Sequence, residues 1–149
     1  PYTTLFRSGE GPERGNLEKV VQEKGVTVDF RGQLAGRELS ETISRARAVV
    51  IPSVWGENMP LSLLEAMQAG KVVIASRIGG LPEMIDDGKN GLLFIPSDSA
   101  SLAEKIASLD KLDLKEMGKL AQEKVKNLSP AQNLSAVEGV YRQVLANRE

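Results

Sequence analysis

The chain has 149 residues, of which 41% are hydrophobic, and this size suits one globular domain with a buried core. Its 19 basic and 20 acidic residues give a net charge of −1, which argues against a broad nucleic-acid footprint or a polybasic membrane anchor. It contains no cysteine and no histidine, which excludes disulfides, thiolate nucleophiles and a Ser/His/Asp triad within the chain. We expect a cytoplasmic protein, because no apolar run reaches the length of a membrane span.

The first eight residues join poorly to the sequence that follows. Residues 5–8 read LFRS, which the end of a common sequencing adapter would also encode. We therefore expect residues 1–8 to be a foreign or truncated segment that can still form a strand, and residues 9–149 to form one partial domain.

Short apolar runs then alternate with amphipathic helical patterns. The predicted strands are 26–30, 48–51, 72–75 and 91–94, and the predicted helices are 17–23, 38–46, 60–69, a short one after Gly80, 99–109, 114–126 and 130–147. Continuous apolar runs are typical of strands buried on both faces of a parallel sheet. The alternation predicts an α/β fold, a doubly wound Rossmann-like parallel sheet with carboxyl-terminal helices, which binds ligands at the carboxyl ends of its strands.

The carboxyl-terminal helices carry two apolar stripes and one capping signal. Ser129 is a candidate N-cap ahead of Pro130. One stripe consists of Leu102, Ile106 and Leu109, and the other of Val137, Val140, Tyr141 and Val144. Stripes at this spacing predict packing against a core or an interface.

One stretch, residues 53–70, combines two glutamates with the start of a helix. Glu57 and Glu65 have seven residues between them, and Pro60 is predicted to occupy the first helical position. The amides of Leu61, Ser62 and Leu63 would then be free to bind a phosphate at the positive end of the helix dipole. Carboxylates suit such a site only if they accept hydrogen bonds from sugar or ribose hydroxyls, which suggests a nucleotide-sugar. On local spacing alone, acidic residues that complement the helix dipole are the favoured explanation.

Five segments in order give these glutamates a wider context: GEGPERGNLEK, VTVDFRG, AVVIPSVWGENMPLSLLEAMQAGKVVIAS, GGLPEMIDDGKNGLLF and LAEKIASL. With these segments, the region 9–109 resembles the carboxyl-terminal, donor-binding domain of GT-B glycosyltransferases, in particular the retaining family 4, also called glycosyl transferases group 1. The order and spacing of five segments outweigh the explanation from the dipole alone.

The resemblance implies a role for each residue of the site. Glu57 would face the transferred sugar as the catalytic residue, and Glu65 would bind the ribose hydroxyls. Gly32 and Gln33 would seat the base. The remaining substrate-binding positions would be Asn58, Met59, Pro60, Leu61 and Ser62, through amides that contact the sugar and the diphosphate.

Two further loops are open to simpler explanations. Gly79 and Gly80 match a second loop near the family's site, and a turn that needs flexible residues explains them about as well as ligand contact. Residues 86–88, with sequence DDG, are interpreted as a turn and not as a metal site. We expect no metal and no cofactor.

The implied reaction transfers a hexosyl unit from a nucleoside diphosphate to an acceptor hydroxyl with retention. Helix amides would stabilise the leaving diphosphate, and Glu57 would offset positive charge on the sugar. The acceptor, a saccharide, a lipid-linked compound or a small molecule, would bind a missing amino-terminal domain, and no nucleic acid is involved. The full-length protein would be cytoplasmic or peripheral at a membrane.

The family's first strand, with its Arg and Lys that grip the diphosphate, is absent from this chain. In the doubly wound order that strand is central, with the next two strands on one side and the remainder on the other. We therefore expect a gap in the sheet, no transferase activity of the 149 residues alone, and poor folding or association through strand edges.

Two other functions fit parts of the sequence. An NAD-dependent oxidoreductase is suggested by Gly9, Gly11 and Asp29, but the third glycine of that motif would fall on Arg14, and Pro12 intrudes. A non-catalytic Rossmann-like nucleotide-binding or interaction module is the second alternative, because a fold does not fix a function.

Overall fold

A computed structural model of the chain describes residues 5–126, 128 and 130–146. Five strands and seven helices alternate in chain order until β5, after which only helices follow. The strands are β1 Leu5–Ser8, β2 Val28–Gly32, β3 Ala48–Ile51, β4 Val72–Ser76 and β5 Gly91–Phe94. The helices are α1 Arg14–Lys24, α2 Gly36–Arg45, α3 Leu61–Gln68, α4 Leu81–Met84, α5 Ser99–Ser108, the short 3₁₀ helix Leu109–Lys111, α6 Leu114–Lys126 and α7 Pro130–Ala146.

The described chain divides into two compact units, the first ending at Thr42 and the second beginning at Ile43. In the first unit β1 and β2 pair in parallel, with Leu5 opposite Val28 and an irregularity between Arg7 and Ser8. Every described residue of this unit is exposed or half-buried. A two-stranded sheet offers too little apolar surface for a core, so the first unit has no buried core of its own.

The second unit contains a parallel sheet in the order β3-β4-β5. All five residues of the central strand β4 are buried, and alternate residues point to opposite faces. Val73 and Ala75 pack in one cluster with Leu63 and Met67 of α3, while the other face packs towards α5 and α6. The side chains of that second cluster are Val72, Ile74, Leu92, Phe94, Leu109 and Met117. The core therefore lies on both faces of β4, as a continuous apolar run predicts.

The predicted α/β class with parallel strands is confirmed. The five strands form two sheets, β1-β2 and β3-β4-β5. Residues 5–8, expected as a foreign or truncated segment, form a strand that pairs with β2.

Several boundaries differ from the prediction, and both predicted apolar stripes contain exposed residues. Helix α1 begins three residues earlier than predicted, where Arg14 forms ion pairs with Glu10 and Glu18 that an apolar pattern does not detect. In α5 the residue Ile106 is exposed rather than packed. The stripe of α7 is exposed as well, so it contributes nothing to the core. Ser129 and Asn147, the predicted ends of the last helix, lie outside the described residues.

The loop 86–90 joins the end of α4 to β5. Asp87 forms ion pairs with Arg77 at 2.7 Å and Lys105 at 3.4 Å, and its Oδ1 accepts the Leu93 N–H at 2.9 Å. The buried amide of Asn90 accepts the Asp86 N–H and donates to the Met84 carbonyl. The predicted turn at residues 86–88 therefore has a structural role, because its side chains bind neighbouring parts of the second unit. In the part of the chain that the structure describes, no group of three or more acidic side chains is arranged to hold a metal ion.

Candidate functional site

The site begins where β3 ends and α3 starts. Pro60 is the N-cap of α3 and has extended backbone angles, φ −67° and ψ 138°, so its prediction as the first helical residue is wrong by one position. The Pro60 carbonyl accepts the Leu63 N–H at 3.0 Å and the Leu64 N–H at 3.4 Å. The predicted availability of the Leu63 amide is therefore wrong, because a helix N-cap carbonyl takes up the first intrahelical hydrogen bond. Leu61 and Ser62 remain the first two residues whose amides have no intrahelical acceptor.

Glu57 is held at two points. The buried Ser53 donates its hydroxyl to Glu57 Oε1 at 2.6 Å, and the Gly80 N–H donates to the Glu57 carbonyl at 2.8 Å. A hydroxyl donating to a carboxylate makes a short, charge-assisted bond that fixes the side-chain rotamer. The half-buried carboxylate keeps Oε2 for another donor. Sequence reasoning missed Ser53, although a Ser four residues before the Glu was the available signal.

The glycine pair after β4 lies against the backbone of the Glu57 loop. Gly79 has φ +57°, and a Cβ there would collide with the Glu57 carbonyl oxygen and lie 2.8 Å from its nitrogen. A Cβ on Gly80 would collide with the Asn58 carbonyl oxygen and lie 3.0 Å from its carbon. The left-handed backbone of Gly79 fits the predicted turn, and the close approach of the two loops is a further reason for both glycines that was not predicted. Contact of this pair with a ligand stays a prediction.

We expect Gly80→Ala to lower the free energy of unfolding by about 2 kcal/mol, the cost of forcing atoms into a packed contact. The backbone of Gly80 is right-handed, φ −79°, so the substitution reports the contact with Asn58 and not a backbone strain. Urea denaturation of the full-length protein measures the change. Gly56→Ala in the facing loop is the matched control, since nothing lies within 4 Å of a Cβ there. Equal stability of the two variants would show that the loops are not in contact.

The other residues of the second unit that were predicted to bind the substrate are exposed to solvent. Asn58, Met59, Leu61, Ser62 and Glu65 are exposed, and the opposite side of α3 is buried through Leu63, Ala66 and Met67. No side chain in the described residues forms a hydrogen bond or ion pair with the Glu65 carboxylate. Glu65 lies one turn after Leu61 on the same face, as predicted. The structure thus brings the predicted residues 57–65 together around the amino end of α3.

Gly32 and Gln33 belong to the first unit. Gly32 has φ +67°, its carbonyl accepts the Gly9 N–H at 2.6 Å, and a Cβ there would lie 2.7 Å from Glu10 Oε1. That oxygen pairs with Arg14 at 2.6 Å. The left-handed backbone and the nearby carboxylate give Gly32 a local structural role. Gln33 is exposed.

The sequence profile of the family described as glycosyl transferases group 1 matches residues 3–127. The matched range contains every residue of the candidate site. The chain therefore belongs to the glycosyl transferases group 1 family, and its fold is that of the GT-B glycosyltransferases.

Curated relatives agree with this assignment. A sulfoquinovosyl transferase of Arabidopsis thaliana is 37% identical over 128 residues, which are 83% of this chain and 24% of the relative. A glycogen synthase of Mycobacterium tuberculosis is 37% identical over 111 residues, 73% of this chain and 27% of the relative. The chain thus spans about a quarter of the length of these relatives.

Solved structures show the same fold. The sucrose-phosphate synthase of Thermosynechococcus elongatus superposes with a TM-score of 0.79 at 32% identity, covering 97% of this chain and 39% of that one. HepE of Anabaena, solved in complex with UDP, has a TM-score of 0.82 at 24% identity and covers 94% of this chain and 41% of that one. Among the described residues, no helix has the length and apolar character needed to cross a bilayer.

Proposed function

We propose that this chain is the donor-binding part of a longer, retaining family 4 glycosyltransferase. The full-length enzyme transfers a hexosyl unit from a nucleoside diphosphate sugar to an acceptor hydroxyl. The observation that carries the proposal is the anchored carboxylate of Glu57, held by Ser53 and Gly80 just before the amino end of α3. The small share of its relatives that the chain spans supports the presence of a further, acceptor-binding domain in the full-length protein.

The charge of the site decides how a diphosphate binds there. Residues 48–70 include Glu57 and Glu65 but no Lys or Arg, so this stretch offers no side-chain cation to a phosphate. The amides of Leu61 and Ser62, together with the positive end of the α3 dipole, supply the favourable interaction instead. A cationic group from another part of the full-length protein completes the diphosphate site.

Glu57 stabilises the sugar, which becomes positively charged as its bond to the diphosphate breaks. When the bond between the anomeric carbon and the diphosphate breaks, positive charge develops on the sugar ring and negative charge on the leaving group. The fixed Glu57 carboxylate offsets the positive charge, and the α3 amides stabilise the negative charge. Because Ser53 already holds the carboxylate, little reorganisation is needed as the charge develops.

Glu65 binds the ribose of the nucleotide. A carboxylate with two free oxygens accepts two hydrogen bonds from neighbouring ribose hydroxyls, and Glu65 is exposed without a partner among the described residues. HepE, whose fold this chain shares, has been solved with UDP and with UDP-glucose. The enzyme works in the cytoplasm, either free or at a membrane surface.

We expect Glu65→Ala to weaken nucleotide binding by the full-length protein about 10- to 100-fold, the range for losing hydrogen bonds to a charged group. Calorimetric titration with UDP, GDP and ADP measures the loss and identifies the base. Glu104→Ala is the matched control, because Glu104 is also an exposed helical glutamate. Unchanged affinity in Glu65→Ala would contradict the ribose assignment.

A further inference from the structure

The loop between β3 and α3 carries the single tryptophan of the chain at its surface. Trp55 is 65% exposed, and Val54 and Met59 beside it are also exposed. Exposing an indole to water is unfavourable by about 25 cal/mol for each Å² of apolar area. Contacts with other described residues therefore do not explain why Trp55 lies at the surface.

The structure also limits how far Trp55 can move. The hydrogen bond from Ser53 Oγ to Glu57 Oε1 closes a five-residue loop, and Trp55 lies at its middle. Ser53 is buried at one end, and the Glu57 backbone is bound to Gly80 at the other. A side chain on such a constrained loop loses little further entropy when a ligand covers it.

We propose that Trp55 is a binding platform for the apolar face of a pyranose ring, an inference that rests on the proposed function. A pyranose has a face of C–H groups and a rim of hydroxyls. The indole suits the first, and the carboxylate of Glu57 and the amide of Asn58 suit the second. The ring comes either from the hexosyl group of the donor or from a saccharide acceptor, since both present the same chemistry.

A membrane surface fits this loop less well. Residues 48–70 carry two glutamates and no basic residue, so an anionic lipid surface would repel them. Insertion of Trp55 into lipid would also draw Glu57 towards a medium of low dielectric, at a high cost for a charged carboxylate. A saccharide, which is neutral and amphipathic, avoids both costs.

Fluorescence of the full-length protein tests the proposal, with the Trp55→Phe variant measured beside it, so that the difference between the two emission spectra belongs to Trp55. The probes are UDP, UDP-glucose, and the methyl glycosides of glucose, galactose and mannose, with nucleotide binding followed in parallel by calorimetry. We expect a sugar to change the emission of Trp55 beyond any change that UDP alone produces. A change with UDP-glucose alone assigns the ring to the donor, and a change with a free glycoside assigns it to the acceptor.

Variants measure the contribution of the ring. We expect Trp55→Ala to weaken sugar binding, followed by calorimetry, about tenfold, and Trp55→Phe to weaken it less than threefold, in line with the strength of aromatic contacts. Tyr141→Ala, which removes an equally exposed aromatic side chain from α7, is the control and should leave sugar binding unchanged.

The outcomes separate this inference from the proposed function. If the nucleotides bind but no sugar changes the emission, the platform is wrong and the proposed function stands. If no nucleotide binds, the donor-binding role of this chain is contradicted, and the glycosides alone decide on Trp55. Emission that changes with none of the three glycosides and not with UDP-glucose overturns the platform in either case.

Discussion

Replacing Glu57 with Gln is expected to reduce hexosyl transfer by the full-length protein about 100-fold, with nucleotide affinity unchanged within about twofold. Loss of one preorganised electrostatic partner of a transition state typically costs this much. Gln has nearly the same shape, and its carbonyl oxygen still accepts the Ser53 hydroxyl that now binds Oε1 at 2.6 Å. The substitution thus removes the charge and keeps the loop, so the effect appears in kcat and not in KM.

Steady-state kinetics with a saturating acceptor, beside calorimetry with the nucleoside diphosphate, separate these two quantities. Glu104→Gln, which removes the same charge from the exposed surface of α5, is the matched control and is expected to retain full activity. A transfer rate within threefold of the unmodified protein would contradict the role of Glu57. An equal loss of diphosphate affinity would instead place Glu57 in ground-state binding.

Local apolar patterns were sufficient to predict the second unit of the fold. Strands β3 and β5 have the predicted bounds, as does α6. The continuous apolar run of β5 fits its full burial, while three of the four residues of β3 are half-buried. Gly70, with its left-handed backbone, follows the end of α3 as predicted. The start of α1 was missed because its first turn, Arg14 to Asn16, holds no apolar residue and depends on ion pairs instead.

The geometry around the candidate site was only partly predictable from the sequence. The spacing of Glu57 and Glu65 and the resemblance to family 4 predicted both carboxylates as site residues, and their roles stay predictions. The one-residue error at Pro60 reflects a general ambiguity, since a proline φ of −67° is compatible with both the N-cap and the first helical turn. The contact of Gly79 and Gly80 with the Glu57 loop lies more than twenty residues away along the chain. Local sequence carries no signal for such a contact.

A second close approach in the second unit also involves a pair of glycines, one just after α3 and one in α6. Gly70 follows α3 with φ +66°, and its N–H and that of Lys71 donate to the Met67 and Ala66 carbonyls, both at 3.0 Å. These bonds satisfy the end of α3 through a left-handed residue. A Cβ on Gly118 of α6 would collide with the Gly70 carbonyl oxygen and lie 2.9 Å from its carbon. The end of α3, the helix that carries Glu65, therefore packs against α6 through Gly70 and Gly118. The short distance between them leaves no room for a side chain on Gly118.

We expect Gly118→Ala to lower the free energy of unfolding by about 3 kcal/mol and the melting temperature by about 10 °C. The atom in the way belongs to backbone, so a rotamer change cannot relieve the clash, and the gain in helix propensity of about 1 kcal/mol is too small to offset it. Gly139→Ala in α7 is the matched control, because nothing lies within 4 Å of a Cβ there. This second variant should gain about 0.5–1 kcal/mol. Thermal and urea unfolding of the two variants measure the difference, and a Gly118→Ala protein as stable as Gly139→Ala would show that α3 and α6 do not approach so closely.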